Sequence, residues 1–277
     1  ESGTQERARA IEFSCMAADG VGLDAVLTLP GSAKTARAPL VVMTPDGPFA
    51  AMPGGFDAEA QAFAGMGMAT LRVNVRGAEG RGRKHREALH RGYENAQIGD
   101  LLAAMDHAAE HFPVSRRLVA VMGCEYGAYV ALRAAELYPQ RFRCVVAADA
   151  IVDWGRELNL NSEYAPVLAF LGEEMRTREA NAWDDASAMS AAVLFLTEDF
   201  TADATTSPRG LGDMRRFASK LKAQGSVAER FNLSTAYRRL AGAEKAVAFS
   251  RIEAFFNLHL FNYTVEMGDT RVIEEKP

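Results

Sequence analysis

Residues 121–128 decide the fold, and they read Val-Met-Gly-Cys-Glu-Tyr-Gly-Ala. An apolar run, 118–122, leads into this stretch, and an amphipathic run, 126–137, continues from it. A buried strand is therefore expected to pass into a helix through a turn that has Glu125 at its centre and glycine two positions away on either side. Glycine is needed at both places because a side chain there would collide with the neighbouring strand or helix. Such a strained turn lifts the central side chain clear of the sheet.

Short apolar and β-branched runs alternate with longer amphipathic runs along the rest of the chain. Continuous apolar runs are typical of strands that a parallel sheet buries on both faces. This pattern predicts strands at 26–30, 39–43, 69–75, 118–122, 144–148 and 192–196. Helical spacing of apolar residues predicts helices at 57–66, 98–112, 126–137 and 251–260. The alternation predicts an α/β fold with a mostly parallel central sheet flanked by helices on both faces.

Length and composition fit one globular domain. The chain has 277 residues, of which 48% are hydrophobic and 24% charged, and it shows no internal repeat or low-complexity tract. We therefore expect a single domain over 1–277, in which residues 1–38 lead in with edge strands and residues 156–190 form a helical insertion over one edge. Because the chain begins with Glu1 rather than Met, we expect it to be processed or cut from a longer protein.

Composition also excludes several classes of partner. The net charge of −5 gives no global attraction for nucleic acid or anionic lipid. No apolar run approaches the ~20 residues that a membrane helix needs, so we expect a soluble protein, cytoplasmic or exported. The three cysteines lie far apart and form no C-x-x-C motif, which argues against a disulfide framework and a zinc site. Cys15, Cys124 and Cys144 are therefore interpreted as small buried hydrophobes.

Several motifs outside the central turn carry a family resemblance. They are Asp19-Gly20, the strand 27–30, the turn Asp46-Gly47-Pro48, the segment 73–88 with Asn-Val-Arg-Gly and a glycine-rich loop, Gly99-Asp100 and Asp153-Trp154. With the central turn, they make most of residues 15–155 similar to the catalytic domain of the prolyl oligopeptidase family of serine peptidases. The resemblance implies an α/β-hydrolase fold whose G-x-S-x-G motif forms the nucleophile elbow. It also implies hydrolase activity, a peptide or ester ligand, and a β-propeller domain or a second copy of the chain as partner.

The same resemblance assigns chemical roles to particular positions. It implies that Glu125 occupies the nucleophile position and that the backbone N–H of Tyr126 serves the oxyanion hole. The family's acid falls at 199–200, where Asp199 is the candidate, and its histidine falls near Tyr237. The sequence has no histidine between positions 111 and 259.

The turn after the predicted strand 39–43 contains Asp46, Gly47 and Phe49. The family has a His-Gly-Gly-Pro turn at this place, so the resemblance implies that these three residues line the substrate pocket. The first half of that turn is changed here to Pro45-Asp46.

Two functional interpretations follow from the changed positions. Loss of the nucleophile or base of such a triad costs about 10⁶ in rate, which favours a catalytically degenerate relative that serves as a binding, assembly or regulatory module. The alternative is an active peptidase or esterase that uses Glu125 with Asp199 or Tyr237. A histidine near Glu125, for instance His259, would favour this alternative, because a carboxylate nucleophile needs a base that activates water.

Glu125 also precedes the predicted helix 126–137, whose free N–H groups and dipole favour an anion. We therefore predict that its carboxylate fills the oxyanion site and accepts hydrogen bonds from nearby backbone N–H groups. In that arrangement the protein itself would occupy the place of a substrate carbonyl.

Two further clusters have a functional and a plainer interpretation. His107 and His111 lie four apart and could share a helix face that binds a metal, but no third ligand accompanies them, which favours a solvated face. The arginine-rich stretch 72–91 could bind an anion, but nearby glutamates balance it, which favours a solvated loop. Its glycines open no helix and so make no dinucleotide fingerprint. The sequence therefore predicts no metal and no cofactor.

Overall fold

The fold is built on one sheet of eight strands. The computed structural model describes residues 8–31, 37–89, 93–153, 157, 164–171, 189–198 and 211–261. The strands are β1 (Arg9–Met16), β2 (Gly22–Leu29), β3 (Ala38–Met43), β4 (Ala69–Asn74), β5 (Val114–Cys124), β6 (Cys144–Ala148), β7 (Ala192–Glu198) and β8 (Ala228–Leu233). Their order is β1-β2-β4-β3-β5-β6-β7-β8. Strand β2 runs antiparallel to both neighbours, and all other pairs are parallel.

Helices cover both faces of this sheet. They are α1 (Ala58–Gly65), α2 (Arg83–Glu87), α3 (Tyr93–His111), α4 (Tyr126–Leu137), α5 (Ala165–Leu171), α6 (Leu211–Ala223) and α7 (Gly242–Phe256). A single 3₁₀ turn, Tyr237–Arg239, precedes α7, and a π turn, Asn257–Phe261, follows it. The predicted α/β fold with a mostly parallel sheet and helices on both faces is confirmed.

Alternate residues of each strand point to opposite faces, so the sheet has two cores. On β4, Leu71 and Val73 belong to the core shared with α3, α4 and α6. On β5, Met122 belongs to the core shared with α1 and α7, where Phe63 and Phe256 meet. The polar residue Arg72, between Leu71 and Val73, therefore faces the α1–α7 side of the sheet.

The predicted helices and strands are confirmed, with bounds that differ by several residues for some elements. The prediction expected edge strands within 1–38 but gave no bounds for β1, and it missed α6, β8 and α2, which begins directly after Gly82 although the glycines of that loop were expected to open no helix. Both strands lie at the edges of the sheet and mix exposed with buried residues, so they lack the continuous apolar run on which the prediction relied. The predicted insertion at 156–190 lies largely outside the described residues, with α5 as its longest described part. The single domain over 1–277 stays a prediction.

All three cysteines are buried free thiols, as predicted. Among the described residues, no helix combines the length and hydropathy needed to cross a bilayer. The imidazole rings of His107 and His111 stack with centroids 4.1 Å apart, and the Phe13 ring of β1 stacks on His107 at 5.1 Å. The predicted solvated face is thus confirmed for Asp106, Glu110 and His111, which are exposed, while Phe13 of β1 partly covers His107.

The arginine-rich stretch is the predicted solvated loop only in part, because Arg81, Arg83 and Arg86 are exposed whereas Arg72 and Arg76 are buried. Arg76 is buried, and its guanidinium lies between the carboxylates of Asp100 (2.6 Å) and Asp19 (2.6 Å). The Arg76 backbone N–H also donates to Asp100 at 2.8 Å. Hydrogen bonds to the two carboxylates outweigh desolvation and raise the pKa of Arg76. Aspartates from distant segments therefore compensate this arginine, and the arrangement holds the glycine-rich loop against α3.

Candidate active site at the elbow

The turn between β5 and α4 has the backbone of a nucleophile elbow. Glu125 has φ 52° and ψ −112°, a conformation that is sparsely populated by residues other than glycine. Its N–H donates to the Ala148 carbonyl at 2.9 Å. A Cβ atom on Gly127 would lie 2.7 Å from the Pro45 carbonyl oxygen, and one on Gly123 would collide with the backbone of Gly127. The two glycines are therefore required by close packing, as the sequence indicates.

Thr44, directly after β3, ties this turn in place. Its N–H donates to the Met122 carbonyl at 2.9 Å. Its buried hydroxyl donates to the Gly127 carbonyl at 2.8 Å and lies 3.1 Å from the Met122 carbonyl. One residue thus links the ends of β3 and β5 to the first turn of α4.

The Glu125 side chain does not cap the helix that follows it. It is half-buried, and it makes no capping hydrogen bond to α4. The start of α4 is therefore not where this carboxylate accepts a capping hydrogen bond, and its predicted place in the oxyanion site stays a prediction. An N-cap residue has an extended backbone that aims its side chain at the N–H groups, whereas the positive φ of Glu125 does not.

Tyr126 anchors the elbow through its side chain. The ring is buried, and the hydroxyl donates to the Gln97 Oε1 atom at 2.8 Å. The Gln97 amide in turn donates to the carbonyls of Pro48 (3.0 Å) and Arg76 (2.9 Å). This chain of hydrogen bonds joins the elbow to α3 and to the glycine-rich loop. The role of the Tyr126 backbone N–H in an oxyanion hole stays a prediction.

The 3₁₀ turn after β8 brings Tyr237 and Arg238 to the carboxyl ends of the parallel strands, where the elbow lies. The Tyr237 N–H donates to the Asp149 carboxylate at 2.7 Å. Asp149 directly follows β6 and has a φ of 45°. The Arg238 guanidinium forms an ion pair with Asp46 at 2.9 Å. The sequence prediction missed Asp149 and Arg238, although the carboxyl ends of adjacent parallel strands are where functional side chains are expected.

Electrostatics around the elbow mix both signs of charge. Burial raises the pKa of Asp46 although 48% of its side chain is exposed; the guanidinium of Arg238 opposes this rise, and the carboxylates of Glu59 and Glu125 add to it. Burial is also the main cause that raises the pKa of the Cys124 thiol to about 12. Cys124 therefore remains a protonated thiol near neutral pH.

The three residues expected to line one substrate pocket diverge. Asp46 lies beside the elbow on the side of Arg238. The Gly47 carbonyl accepts a hydrogen bond from the Ala50 N–H in a tight turn, at 3.0 Å. Phe49 packs with the opposite core, where its ring meets Phe170 edge-on at 4.9 Å and lies under the Arg86 guanidinium at 4.6 Å.

The described histidines contact residues away from the elbow. The His259 Nε2 atom lies 2.8 Å from the Glu229 carboxylate. Glu229 is near the beginning of β8, so this pair lies at the amino ends of the parallel strands, whereas the elbow lies at their carboxyl ends. The His85 Nε2 atom lies 3.0 Å from the Val75 carbonyl. His107 and His111 stack on α3. His90 and the candidate acid Asp199 lie outside the described residues.

Among the described residues, no group of three or more histidine, cysteine, aspartate or glutamate side chains is placed to hold a metal ion. The elbow and the facing turn instead assemble one half-buried carboxylate, an ion pair and a buried phenol. These groups can bind polar ligands, and a carboxylate or a phenol serves as a general base where its pKa lies near the operating pH.

Comparison with known proteins adds sequence relatives. The sequence model of the prolyl oligopeptidase family matches residues 55–199, just over half of the chain. Dipeptidyl aminopeptidase BIII of Pseudoxanthomonas mexicana is 33% identical over 135 residues, which are 46% of this chain and 20% of that protein. The acylamino-acid-releasing enzyme of Homo sapiens is 30% identical over 138 residues, which are 48% of this chain and 18% of that protein. The matched stretch therefore spans about a fifth of each of these curated relatives.

A solved structure extends the likeness over most of the fold. The acylaminoacyl peptidase of Pyrococcus horikoshii superposes with a TM-score of 0.80 at 17% identity, covering 92% of this chain and 42% of that one. At this identity the match concerns the fold alone. It confirms the α/β-hydrolase architecture expected from the elbow.

Proposed function

Because the chain belongs to the prolyl oligopeptidase family, we propose that it is a catalytically degenerate member, which keeps the α/β-hydrolase domain of these serine peptidases and does not cleave peptide or ester bonds at the elbow. One observation carries the proposal: Glu125 stands on the strained elbow turn, and the facing turn supplies Tyr237 and Arg238. In this proposal a carboxylate and a phenol take the places of the hydroxyl and the imidazole that the family's chemistry needs.

Neither Glu125 nor its neighbour Cys124 is suited to the role of a nucleophile. A carboxylate that attacks a substrate forms a covalent intermediate, which activated water must then hydrolyse. Glu125 is also one methylene longer than the aspartate that serves this role in some hydrolases of the fold. The neighbouring Cys124 is no substitute, because a buried thiol with a pKa of about 12 is protonated near neutral pH.

Neither Tyr237 nor His259 is suited to the role of a general base at the elbow. Burial raises the pKa of Tyr237, and the nearby Glu59 carboxylate adds to this rise, so the phenol holds its proton. His259, the histidine that would favour an active enzyme, pairs with Glu229 at the amino ends of the parallel strands. A base at Asp199 belongs to the alternative of an active acyl hydrolase, which the experiment below decides.

We assign the domain a binding, assembly or regulatory role. The two relatives are a dipeptidyl aminopeptidase and an acylamino-acid-releasing enzyme, and this supports a peptide or ester as the ligand class. A β-propeller domain or a second copy of the chain is the proposed macromolecular partner. The elbow is retained in this account because the packing of Thr44, Gly123 and Gly127 depends on it.

A panel of peptide and ester substrates tests the proposal. The native chain and its Glu125→Ala variant are assayed side by side, with Glu110→Ala, an exposed position on α3, as the matched control. All three are expected to hydrolyse the panel at the rate of the buffer. Turnover by the native chain and by Glu110→Ala that Glu125→Ala abolishes would overturn the proposal in favour of the active alternative.

A second variant separates the two missing groups. Glu125→Ser restores the nucleophile type without a base, so it is expected to stay far below a working serine hydrolase, because loss of the base alone costs about 10⁶ in rate. Full activity in Glu125→Ser would mean that a base already stands beside the elbow, which contradicts the account.

A further inference from the structure

A cavity of about 420 Å³ lies beside the elbow, on the α1–α7 side of the sheet. The β3–α1 loop, the beginning of α1, β4, the end of β5, the 3₁₀ turn and α7 form its walls. Phe49 and Arg86 pack on the other side of the sheet, away from it. The volume falls in the range of small-molecule sites in proteins. We call this space the α1–α7 cavity.

Three ion pairs make the wall of the α1–α7 cavity neutral as a whole. The pairs are Arg72 with Asp57 (3.1 Å), Lys245 with Glu59 (2.7 Å) and Arg238 with Asp46 (2.9 Å). Basic and acidic centres therefore alternate around one small space. A ligand with a single charge would meet as many like charges as opposite ones, whereas a molecule with one positive and one negative group can match both kinds.

Two buried donors on this wall lack a protein acceptor. The Arg72 and Tyr237 residues are each 3% exposed, and within the described part of the chain neither the Arg72 Nε atom nor the Tyr237 hydroxyl has a hydrogen-bond partner. Burial, and then the charge and proximity of the Glu59 carboxylate, raise the pKa of Tyr237. The carboxylate thus lies close to the hydroxyl, but the two groups are not aligned for a hydrogen bond. Buried donors are nearly always satisfied in proteins, so both point to acceptor oxygens that a ligand would supply.

The rest of the wall is apolar and aromatic. Met43, Met52 and Met122 line it, and methionine side chains adapt to ligands of varied shape. The Lys245 ammonium lies 3.4 Å from the centroid of the Tyr237 ring, which fixes the ring by a cation–π contact. The site thus combines a preformed polar end with an apolar surface of the size of one side chain.

From this geometry we propose that the α1–α7 cavity binds a free α-amino acid with an apolar side chain. Its carboxylate accepts hydrogen bonds from Arg72 and Tyr237, its ammonium group lies toward the wall carboxylates, and its side chain contacts the methionines. The cavity borders the elbow at Gly123 and Cys124, but Glu125 does not line it, so ligand binding there does not depend on whether Glu125 catalyses any reaction.

Three probes without a cleavable bond test the proposal. L-leucine carries both charges, leucinol carries only the ammonium group, and 4-methylpentanoate carries only the carboxylate. Titration calorimetry on the full chain is expected to show L-leucine binding about tenfold or more tightly than either analogue, since a hydrogen bond or ion pair to a charged group is worth that much. Because a peptidase cannot cleave these probes, residual activity at the elbow cannot imitate the result.

Tyr237→Phe removes one donor and nothing else. This variant is expected to fold with unchanged or higher stability, because the hydroxyl makes no hydrogen bond within the described part of the protein. It is expected to raise the Kd for L-leucine about tenfold or more, because the lost hydrogen bond is one to a charged carboxylate. Tyr138→Phe, at an exposed tyrosine, is the matched control and is expected to leave the Kd unchanged. Equal binding of the three probes, no binding of L-leucine, or a Tyr237→Phe variant with the native Kd would each overturn the proposal.

Discussion

The elbow and the turn that faces it contribute different things to the site, backbone packing in one case and charged or polar side chains in the other. On the elbow side, Gly123, Gly127 and Thr44 keep the close backbone packing that a nucleophile elbow requires. On the facing side, the turn Tyr237–Arg239 supplies a buried phenol and a guanidinium paired with Asp46. The backbone of the site thus has the geometry of a nucleophile elbow, while the side chains at its tip and on the facing turn are a carboxylate, a phenol and a guanidinium.

The difference follows from what each region contributes to folding. A substitution at Gly123 disturbs β5, α4 and the turn after β3 together, because their backbones meet there. The side chain of Glu125 is half-buried at the carboxyl edge of the sheet, so its chemical identity has little influence on the core. Folding therefore constrains the position of the elbow far more strongly than the residue at its tip.

The largest effect is expected at the buried ion pair between Arg76 and Asp100, which holds the glycine-rich loop against α3. Asp100 is buried and accepts hydrogen bonds from the backbone and guanidinium of Arg76. Asp100→Ala should lower the free energy of unfolding in urea by about 3–5 kcal/mol, because it leaves a buried charge short of a partner. Asp106→Ala on the same helix removes an exposed ion pair with Arg141 and should cost at most about 1 kcal/mol. Equal losses of stability in the two variants would contradict the view that the buried pair contributes more to stability than the exposed one.

A smaller effect is expected at the elbow glycines. Gly123→Ala should lower the free energy of unfolding by about 2–3 kcal/mol, because the new methyl group collides with the backbone of Gly127. Gly99→Ala on α3 meets no atom within 4 Å and should raise stability by up to about 1 kcal/mol. Urea denaturation of both variants measures the difference, and a neutral Gly123→Ala would contradict the packing argument.

The sequence predicts the elbow well and the charged side chains of the facing turn poorly. The bounds of α4 and β6 agree with the predicted 126–137 and 144–148, because local apolar runs and glycine spacing define these elements. The ion pair between Arg238 and Asp46 joins residues 192 positions apart, and no local pattern signals such a contact. The elbow was therefore predictable, and the wall of charges beside it was not.

The tip of the elbow should respond in the opposite direction to its scaffold. Glu125→Gly relieves the cost of a positive φ, which is of order 1–3 kcal/mol for a residue with a side chain. After the added flexibility of the unfolded chain is subtracted, the variant should gain about 1 kcal/mol. A loss of stability, measured by thermal or urea unfolding, would mean that the carboxylate makes contacts that hold the fold.

The smallest effect concerns pH. The Arg76 hydrogen bonds lower the pKa of Asp19 below its ordinary value of 3.8. Since the folded-state pKa is the lower one, this pair stabilises the protein above the ordinary value, and the contribution disappears as the pH falls through the folded-state pKa. Asp19→Asn should therefore cost at most about 1 kcal/mol at pH 7 for this exposed pair. The gap to the native chain should close in acid, and a gap that is independent of pH would contradict the assignment.

The most direct measurement is isotope labelling of the elbow side chain. The native chain is incubated with the substrate panel in water enriched in ¹⁸O, and the peptide that contains Glu125 is weighed by mass spectrometry after digestion. The account predicts an unchanged mass, with neither an adduct nor ¹⁸O on the carboxylate. Substrate-dependent uptake of ¹⁸O at Glu125, or a trapped acyl group there, would contradict it, because only a carboxylate that forms and hydrolyses a covalent intermediate acquires either.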